Sequence, residues 1–275
     1  MRNRVLVLAI AAVAALVLII VLVIKFSKVK IVKPQDKVGE VKPFQALLLD
    51  AKNQEQEGDF LALKSTYQKL TNNFIGNKDI SIWQKKLDGI NIALIFSPII
   101  VPGLSQAYQI QPLDTLTKIS RQFNTTVDLL KKSNNLSSDI IISGRRLKVW
   151  TGRFSVLVDK SLNALILKSN DEIIKTYHVS TGLNSSTPIG TFTIVNKLLD
   201  PVWYKSGAIV PPGSSENILG TRWLGFNLAG YGIHGTTDPD SIGKQATAGC
   251  VRMLNQEVEE LYILLPVGTE VVIIG

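Results

Sequence analysis

The chain has 275 residues, enough for more than one domain and at least one substantial core, and a formal net charge of +8. Residues 1–42 hold eight Lys/Arg against Asp36 and Glu40, so the remainder carries only +2; with no basic stripe interleaved with aromatics elsewhere, nucleic acid is not an expected partner. The single cysteine, Cys250, excludes an intramolecular disulfide and paired-cysteine zinc motifs, and the only histidines, His178 and His234, lack an HExxH pattern, so neither a metal nor another cofactor is expected.

Residues 5–24 form an unbroken apolar run of 20 residues, which as a helix spans roughly 30 Å of hydrocarbon. Small residues at 11–15 suggest a cleavable signal, but Leu16 and eight more apolar residues follow them, whereas a cleavage site should end the apolar region. The expectation is an uncleaved single-pass anchor over residues 1–26, which ties the protein to a membrane, followed by a Lys/Pro/Val-rich linker over 27–43. Flanking charge alone (Arg2 and Arg4 before the span, Lys25, Lys28, Lys30 and Lys33 after it) places the large domain in the cytoplasm.

From residue 44 to 103 the pattern is helical, with apolar stripes at Leu47, Leu48 and Ala51, at Leu61, Leu63, Tyr67, Leu70 and Phe74, and at Trp83, Leu87, Ile90 and Leu94. Gly58-Asp59 and Gly76-Asn77 break it. The segment faintly resembles a tetratricopeptide-type hairpin and reads as a spacer.

Residues 104–150 read as a βααβ unit. Tyr108-Gln109-Ile110 is a short strand, Asp114 a candidate cap for a helix carrying Leu116, Ile119 and Phe123, and Thr125 or Thr126 a cap for a second helix with Leu129 and Leu130. Residues 140–149 form a turn into a closing strand. The unit resembles a LysM domain, a small peptidoglycan- and chitin-binding module, at Tyr108, Asp114-Thr115-Leu116, Ile119, Phe123, Leu130, Asn134, Leu136, Gly144 and Leu147. Leu113 stands where that family usually has Gly, and Ser143 where Pro is common. The resemblance implies glycan binding near Asp114, Thr115 and Leu116.

Residues 151–275 turn to strands at 154–159, 163–168, 173–181, 191–197, 231–234 and 270–274, with one helix at 256–264 capped by Asn255. Within them lies Thr247-Ala248-Gly249-Cys250-Val251-Arg252, preceded by Ile233-His234-Gly235-Thr236. A thiol needs a proton acceptor to become a strong nucleophile, and an imidazole can take that proton and return it to a leaving amine. Spacing alone does not bring the two together.

The ordered set resembles the L,D-transpeptidase (YkuD-like) catalytic domain. It comprises the His-Gly strand end, the Thr-x-Gly-Cys-x-Arg turn, Ser180-Thr181-Gly182 with Thr187-Pro188-x-Gly190-x-Phe192, Gly220-Thr221-Arg222 and Gly230-Tyr231-Gly232. Many members carry a second histidine where this chain has Ala248, and Ser is commoner than Thr247. The resemblance implies a mainly-β, β-sandwich-like domain with one short helix. It makes Cys250 the nucleophile on an L–D peptide bond of a peptidoglycan stem and His234 the general base. The Gly235 carbonyl would orient the imidazole, and the N–H groups of Gly249 and Cys250 would hold the oxyanion. Arg252 would fix the turn or meet an acidic substrate group, and Thr247, Trp203, Tyr204 and Tyr231 would line the substrate groove under a cover formed by residues 200–222. Peptidoglycan stems and glycan strands are the implied partners, which places the domain on the cell-wall side, against the charge count. An L,D-carboxypeptidase and a catalytically inactive wall-binding scaffold are the alternatives.

Overall fold

A computed structural model of the chain describes residues 44–205 and 207–275. The expected anchor and linker lie outside the described residues, among which no helix is long and apolar enough to cross a membrane.

Three helices open the described part: α1 (Phe44–Glu57), α2 (Phe60–Asn73) and α3 (Ile80–Phe96). Gly58, at φ +70°, ends the first, and the Asp59 carboxylate accepts from the Ala62 N–H to start the second. Leu47 and Ala51, then Leu63, Tyr67 and Leu70, then Trp83, Leu87, Ile90 and Leu94 are buried at helical spacing, while Leu48 and Leu61 face out.

The segment expected to be a spacer is instead part of one compact unit spanning residues 44–275. Its buried side chains belong to the same core as those of the strand-rich region. The contact is specific. Strand β5 (Glu172–His178) ends the large sheet, and its outward backbone groups would otherwise be unpaired. On α3, Asp88 Oδ2 accepts from the Thr176 N–H (3.2 Å) and Asn91 Nδ2 donates to the Ile174 carbonyl (2.9 Å). From α2, Gln68 and Lys64 both reach Glu172 Oε1 at 2.8 Å. Two side chains three residues apart on one helix face thus cover the sheet edge.

The βααβ unit forms as read: β1 (Ser105–Gln109), α4 (Leu116–Gln122), α5 (Val127–Ser133) and β2 (Arg146–Trp150), with β1 and β2 antiparallel. It has a small core of Ile110, Leu116, Ile119, Leu130, Leu147 and Val149. Thr115, not Asp114, caps α4 through the Lys118 N–H (3.1 Å), and Thr126 caps α5. Asp114 is drawn away from the helix end because its carboxylate accepts from Tyr108 Oη (2.7 Å) and the Gln111 N–H (2.8 Å). Lys148 of β2, only 3 % exposed, donates to the carbonyls of Ser97 (2.7 Å) and Ile95 (3.2 Å) and to that of Leu94, closing the C-terminal end of α3. Lys148→Ala should therefore cost about 1.5–3 kcal/mol, the range for a hydrogen bond involving a charged group, read as a lowered urea midpoint at unchanged slope.

The C-terminal region is mainly β and builds one eight-stranded mixed sheet in the order β13-β11-β10-β7-β14-β3-β4-β5. Its further strands are β3 (Phe154–Asp159), β4 (Ala164–Ser169), β7 (Gly190–Leu199), β10 (Arg222–Phe226), β11 (Gly232–His234), β13 (Val251–Arg252) and β14 (Glu270–Ile274). The short ladders β6 (Thr181–Gly182) with β12 (Gln245–Thr247), and β8 (Trp203–Lys205) with β9 (Ala208–Val210), stand apart from it. The strand expected over 173–181 divides into β5 and β6. One α-helix, α6 (Asn255–Leu264), packs on β10 and β11 and buries Val258, Leu261 and Leu264. Leu254, not Asn255, occupies its cap position, without a side-chain cap bond.

Candidate active site

Strands β11 and β13 run parallel at the far end of the sheet, pairing Ile233 with Val251 and His234 with Arg252. Cys250 is the residue immediately before β13, so this ladder places the histidine strand beside the cysteine turn. Both side chains line one cavity of about 450 Å³, and Arg252, Thr247 and Ala248 line it too. A parallel pairing between two strands of two or three residues thus brings both residues to one cavity, where Cys250 Sγ donates to the Gly230 carbonyl (3.4 Å).

The turn carrying Cys250 is held from within. Thr247 Oγ1 donates to the Cys250 carbonyl (2.7 Å) and accepts from the Gly249 N–H (3.1 Å). This corrects the expected oxyanion pair: the Gly249 N–H is already engaged, whereas the Cys250 N–H has no partner among the described residues. Gly249 sits at φ +138°, and a Cβ there would come within 2.7 Å of the Tyr231 ring. Tyr231 therefore packs behind the turn and does not line the cavity. A second turn supports it from the other side, where the Gly182 N–H donates to Thr187 Oγ1 (2.7 Å).

His234 is buried, with Nδ1 2.7 Å from the Gly235 carbonyl. A carbonyl only accepts, so Nδ1 carries the proton and Nε2 keeps its lone pair. Trp223 stacks on the ring at 6.1 Å between centroids and 21° between planes, and is itself fixed by Nε1 donating to Asn196 Oδ1 (3.1 Å). Burial is the main influence on both titrating groups. It pushes the Cys250 thiol up, against the Gly232 N–H and the Arg252 charge. It pulls the imidazole down to about 4, helped by Arg252 and opposed by the backbone carbonyls of Gly235 and Ile218. At neutral pH the pair is a thiol and a neutral imidazole.

The imidazole value carries a pH prediction. Between about 4 and 6.5 the unfolded chain takes up a proton that buried His234 refuses, so stability falls as pH drops through that window. The loss amounts to about 3 kcal/mol, and urea titrations at several pH values should show it weakened in His234→Gln. The acid limb of turnover should likewise lie near 4, well below the ordinary 6.5 of histidine.

Trp203 and Tyr204 do line the cavity, from the β8–β9 hairpin, with Val202, Ile218 and Leu219. The cover is stitched by Asn217, buried at 2 %, whose Nδ2 donates to the Pro201 (2.8 Å) and Pro211 (3.2 Å) carbonyls. Arg252, 8 % exposed, donates to Ser241 Oγ (2.9 Å) and lies 3.7 Å from Asp238. It thus ties the strand after the cysteine turn to the 238–241 loop and also borders the cavity. At the other candidate site, Leu116 is buried in the small core and Thr115 is occupied as a cap, while Leu113 (93 % exposed, φ +66°) and Ile140 (80 %) stand out on the surface.

One residue at the site escaped sequence reasoning. Asn255 Oδ1 accepts from the Thr236 (3.0 Å) and Thr221 (3.2 Å) N–H groups, and its Nδ2 donates to the Thr236 carbonyl (2.9 Å). It read as a helix cap because Asn directly before an apolar helical pattern is the usual cap signal. No local signal points to a partner 34 residues away.

Comparison with known proteins gives a consistent result. Residues 129–273 match the family model described as the L,D-transpeptidase catalytic domain, YkuD. The match begins inside α5, ahead of the boundary expected at 151. The chain is 34 % identical over 173 residues to the Bacillus licheniformis protein named as an L,D-transpeptidase, YkuD, covering 60 % of this chain and 96 % of that one. It is 31 % identical over 173 residues to the Bacillus subtilis protein of the same name, covering 60 % and 97 %. The Bacillus subtilis protein YqjB, also named as an L,D-transpeptidase, is 40 % identical over 124 residues, covering 43 % and 69 %.

Proposed function

Because the chain belongs to the YkuD family of L,D-transpeptidase catalytic domains, we propose that it cross-links peptidoglycan stem peptides through a thioester on Cys250. The observation that carries this reading is the cavity shared by Cys250 and a His234 whose Nδ1–H is committed to the Gly235 carbonyl.

In the first half-reaction the Cys250 thiol gives its proton to His234 Nε2 as Sγ attacks the carbonyl carbon of the L-centre. The Cys250 N–H, which has no partner among the described residues, is the donor for the developing oxyanion. Collapse breaks the L–D peptide bond, and the amine of the departing D-residue takes the proton from Nε2. In the second half, an acceptor amine attacks the thioester, Nε2 removes its proton, and the thiolate leaves and is reprotonated. Starting from a thiol and a neutral imidazole, no step requires a preformed ion pair.

The cover bearing Trp203 and Tyr204 shields the thioester from bulk water, which favours the amine over hydrolysis. The βααβ unit is read as a LysM-type glycan binder and residues 1–26 as a membrane anchor, with the enzyme on the cell-wall side. Local concentration of neighbouring stems then adds to the bias toward an amine. Incubating the protein with a defined tetrapeptide stem and a supplied amine, and reading products by mass, tests the reading. Cross-linked or amine-exchanged product supports it. Almost exclusive tripeptide at high amine concentration makes the protein an L,D-carboxypeptidase.

A further inference from the structure

We infer that Asn255 is a positioning residue that sets the tautomer of His234 by fixing the direction of the Gly235 carbonyl. This rests on the assignment of His234 as the base.

The carbonyl of Gly235 and the N–H of Thr236 belong to one peptide group. In a trans peptide these two bonds point in opposite directions, and every described peptide bond is trans. Asn255 Oδ1 holds the Thr236 N–H at 3.0 Å. The Gly235 carbonyl must therefore point the other way, which is where His234 Nδ1 lies at 2.7 Å. Asn255 also prevents the plane from turning, since its Nδ2 binds the next carbonyl, that of Thr236, at 2.9 Å. The same Oδ1 accepts from the Thr221 N–H, so the loop ahead of β10 is locked to the end of β11 by one amide.

The surroundings make way for this side chain. A Cβ at Gly235 or Gly220 would lie 2.1 or 2.2 Å from Asn255 Oδ1. Two glycines from separate segments therefore converge on the amide. Asn255 is not spent on the helix either, because α6 starts without a side-chain cap bond.

The chemical consequence concerns where one proton sits. Were the 235–236 peptide to flip, an N–H would face Nδ1, which could then only accept. The proton would move to Nε2, and the imidazole could no longer take one from the thiol. Asn255 acts without touching substrate, through a peptide group and then a ring.

The test uses the full chain with isotope-labelled histidine. Only two histidines exist, and exposed His178 serves as the internal reference for a long-range nitrogen–proton correlation spectrum. In Asn255→Ala, His234 should show an Nε2–H or mixed population where the parent shows Nδ1–H. The kcat for a defined tetrapeptide stem should fall about a hundredfold, the range for a lost general base, with KM little changed. Asn255→Asp keeps the acceptor oxygen and should recover both the Nδ1–H signal and most of kcat. An Asn255→Ala protein that keeps the Nδ1–H tautomer overturns the inference, even if its Tm drops. Should that variant not fold, Asn255→Asp decides alone, since an Nε2–H ring there overturns it. If the parent processes no stem peptide, the proposed substrate fails, while the spectrum still reports on Asn255.

Discussion

Cys250→Ala should give no covalent adduct with a stem peptide or a thiol reagent, and turnover should fall on the order of 10⁴-fold or more. The first half holds because no other thiol exists in the chain. The second holds because the acyl group has nowhere else to rest between donor and acceptor. His234→Ala should behave differently. Its thiol remains and still reacts slowly with a small alkylating reagent, but acylation by a stem peptide should slow by about 10²–10⁴-fold, the usual contribution of a positioned base. Intact-protein mass spectrometry separates the two variants. Wild-type-like turnover in Cys250→Ala would remove the nucleophile assignment and the thioester mechanism with it.

Removing residues 44–103 should make the remaining chain aggregate. The deletion takes away the side chains on which the Ile174 carbonyl and Thr176 N–H depend, leaving the β5 edge open to pair with another chain. It also uncovers the core that Trp83, Leu87, Ile90 and Leu94 share with the sheet. Each such side chain contributes about 1.5–3 kcal/mol when fully buried, so the sum rivals the whole stability of a typical domain. A milder version, Asp88→Leu with Asn91→Leu, keeps the helix but strips its two hydrogen bonds to β5. Light scattering and urea titration should grade the pair, the deletion aggregating and the double variant destabilised by about 2–3 kcal/mol. A stable monomer after deletion would return the segment to the role of a spacer.

The sequence made some features legible because their cause is local. Helices with stripes at Trp83, Leu87, Ile90 and Leu94, the break at Gly58-Asp59, the βααβ order and the strand at 270–274 all follow from periodicity and turn residues. Other features depend on residues far apart. Asp88 and Asn91 look like ordinary polar positions on a helix until a strand some 80 residues on needs partners. Asp114 is diverted from its expected cap by Tyr108, and Asn255 by Thr236 and Thr221. In the site, the motif supplied Cys250, His234, Gly235 and Arg252. It could not show that Thr247 occupies the Gly249 N–H, since that depends on which way one hydroxyl turns.

The Lys148 contact has a mechanical implication. With its ammonium seated on the carbonyls that close α3, and with Thr126 Oγ1 donating to the Ile263 carbonyl on α6, the βααβ unit is fastened on two sides. Trp150 and Phe154 stack across the expected boundary at 150/151, with ring planes 7° apart. The junction is a weld rather than a hinge. If the βααβ unit holds a glycan near Asp114 and Thr115, as proposed, that sugar stands at a fixed offset from the Cys250 thiol, as one jaw of a gauge stands from the other. Since glycan strands repeat at constant intervals, such a gauge would select stems by their spacing along the strand, and lengthening the 150/151 junction would change which stem is reached before it changed how fast any stem reacts.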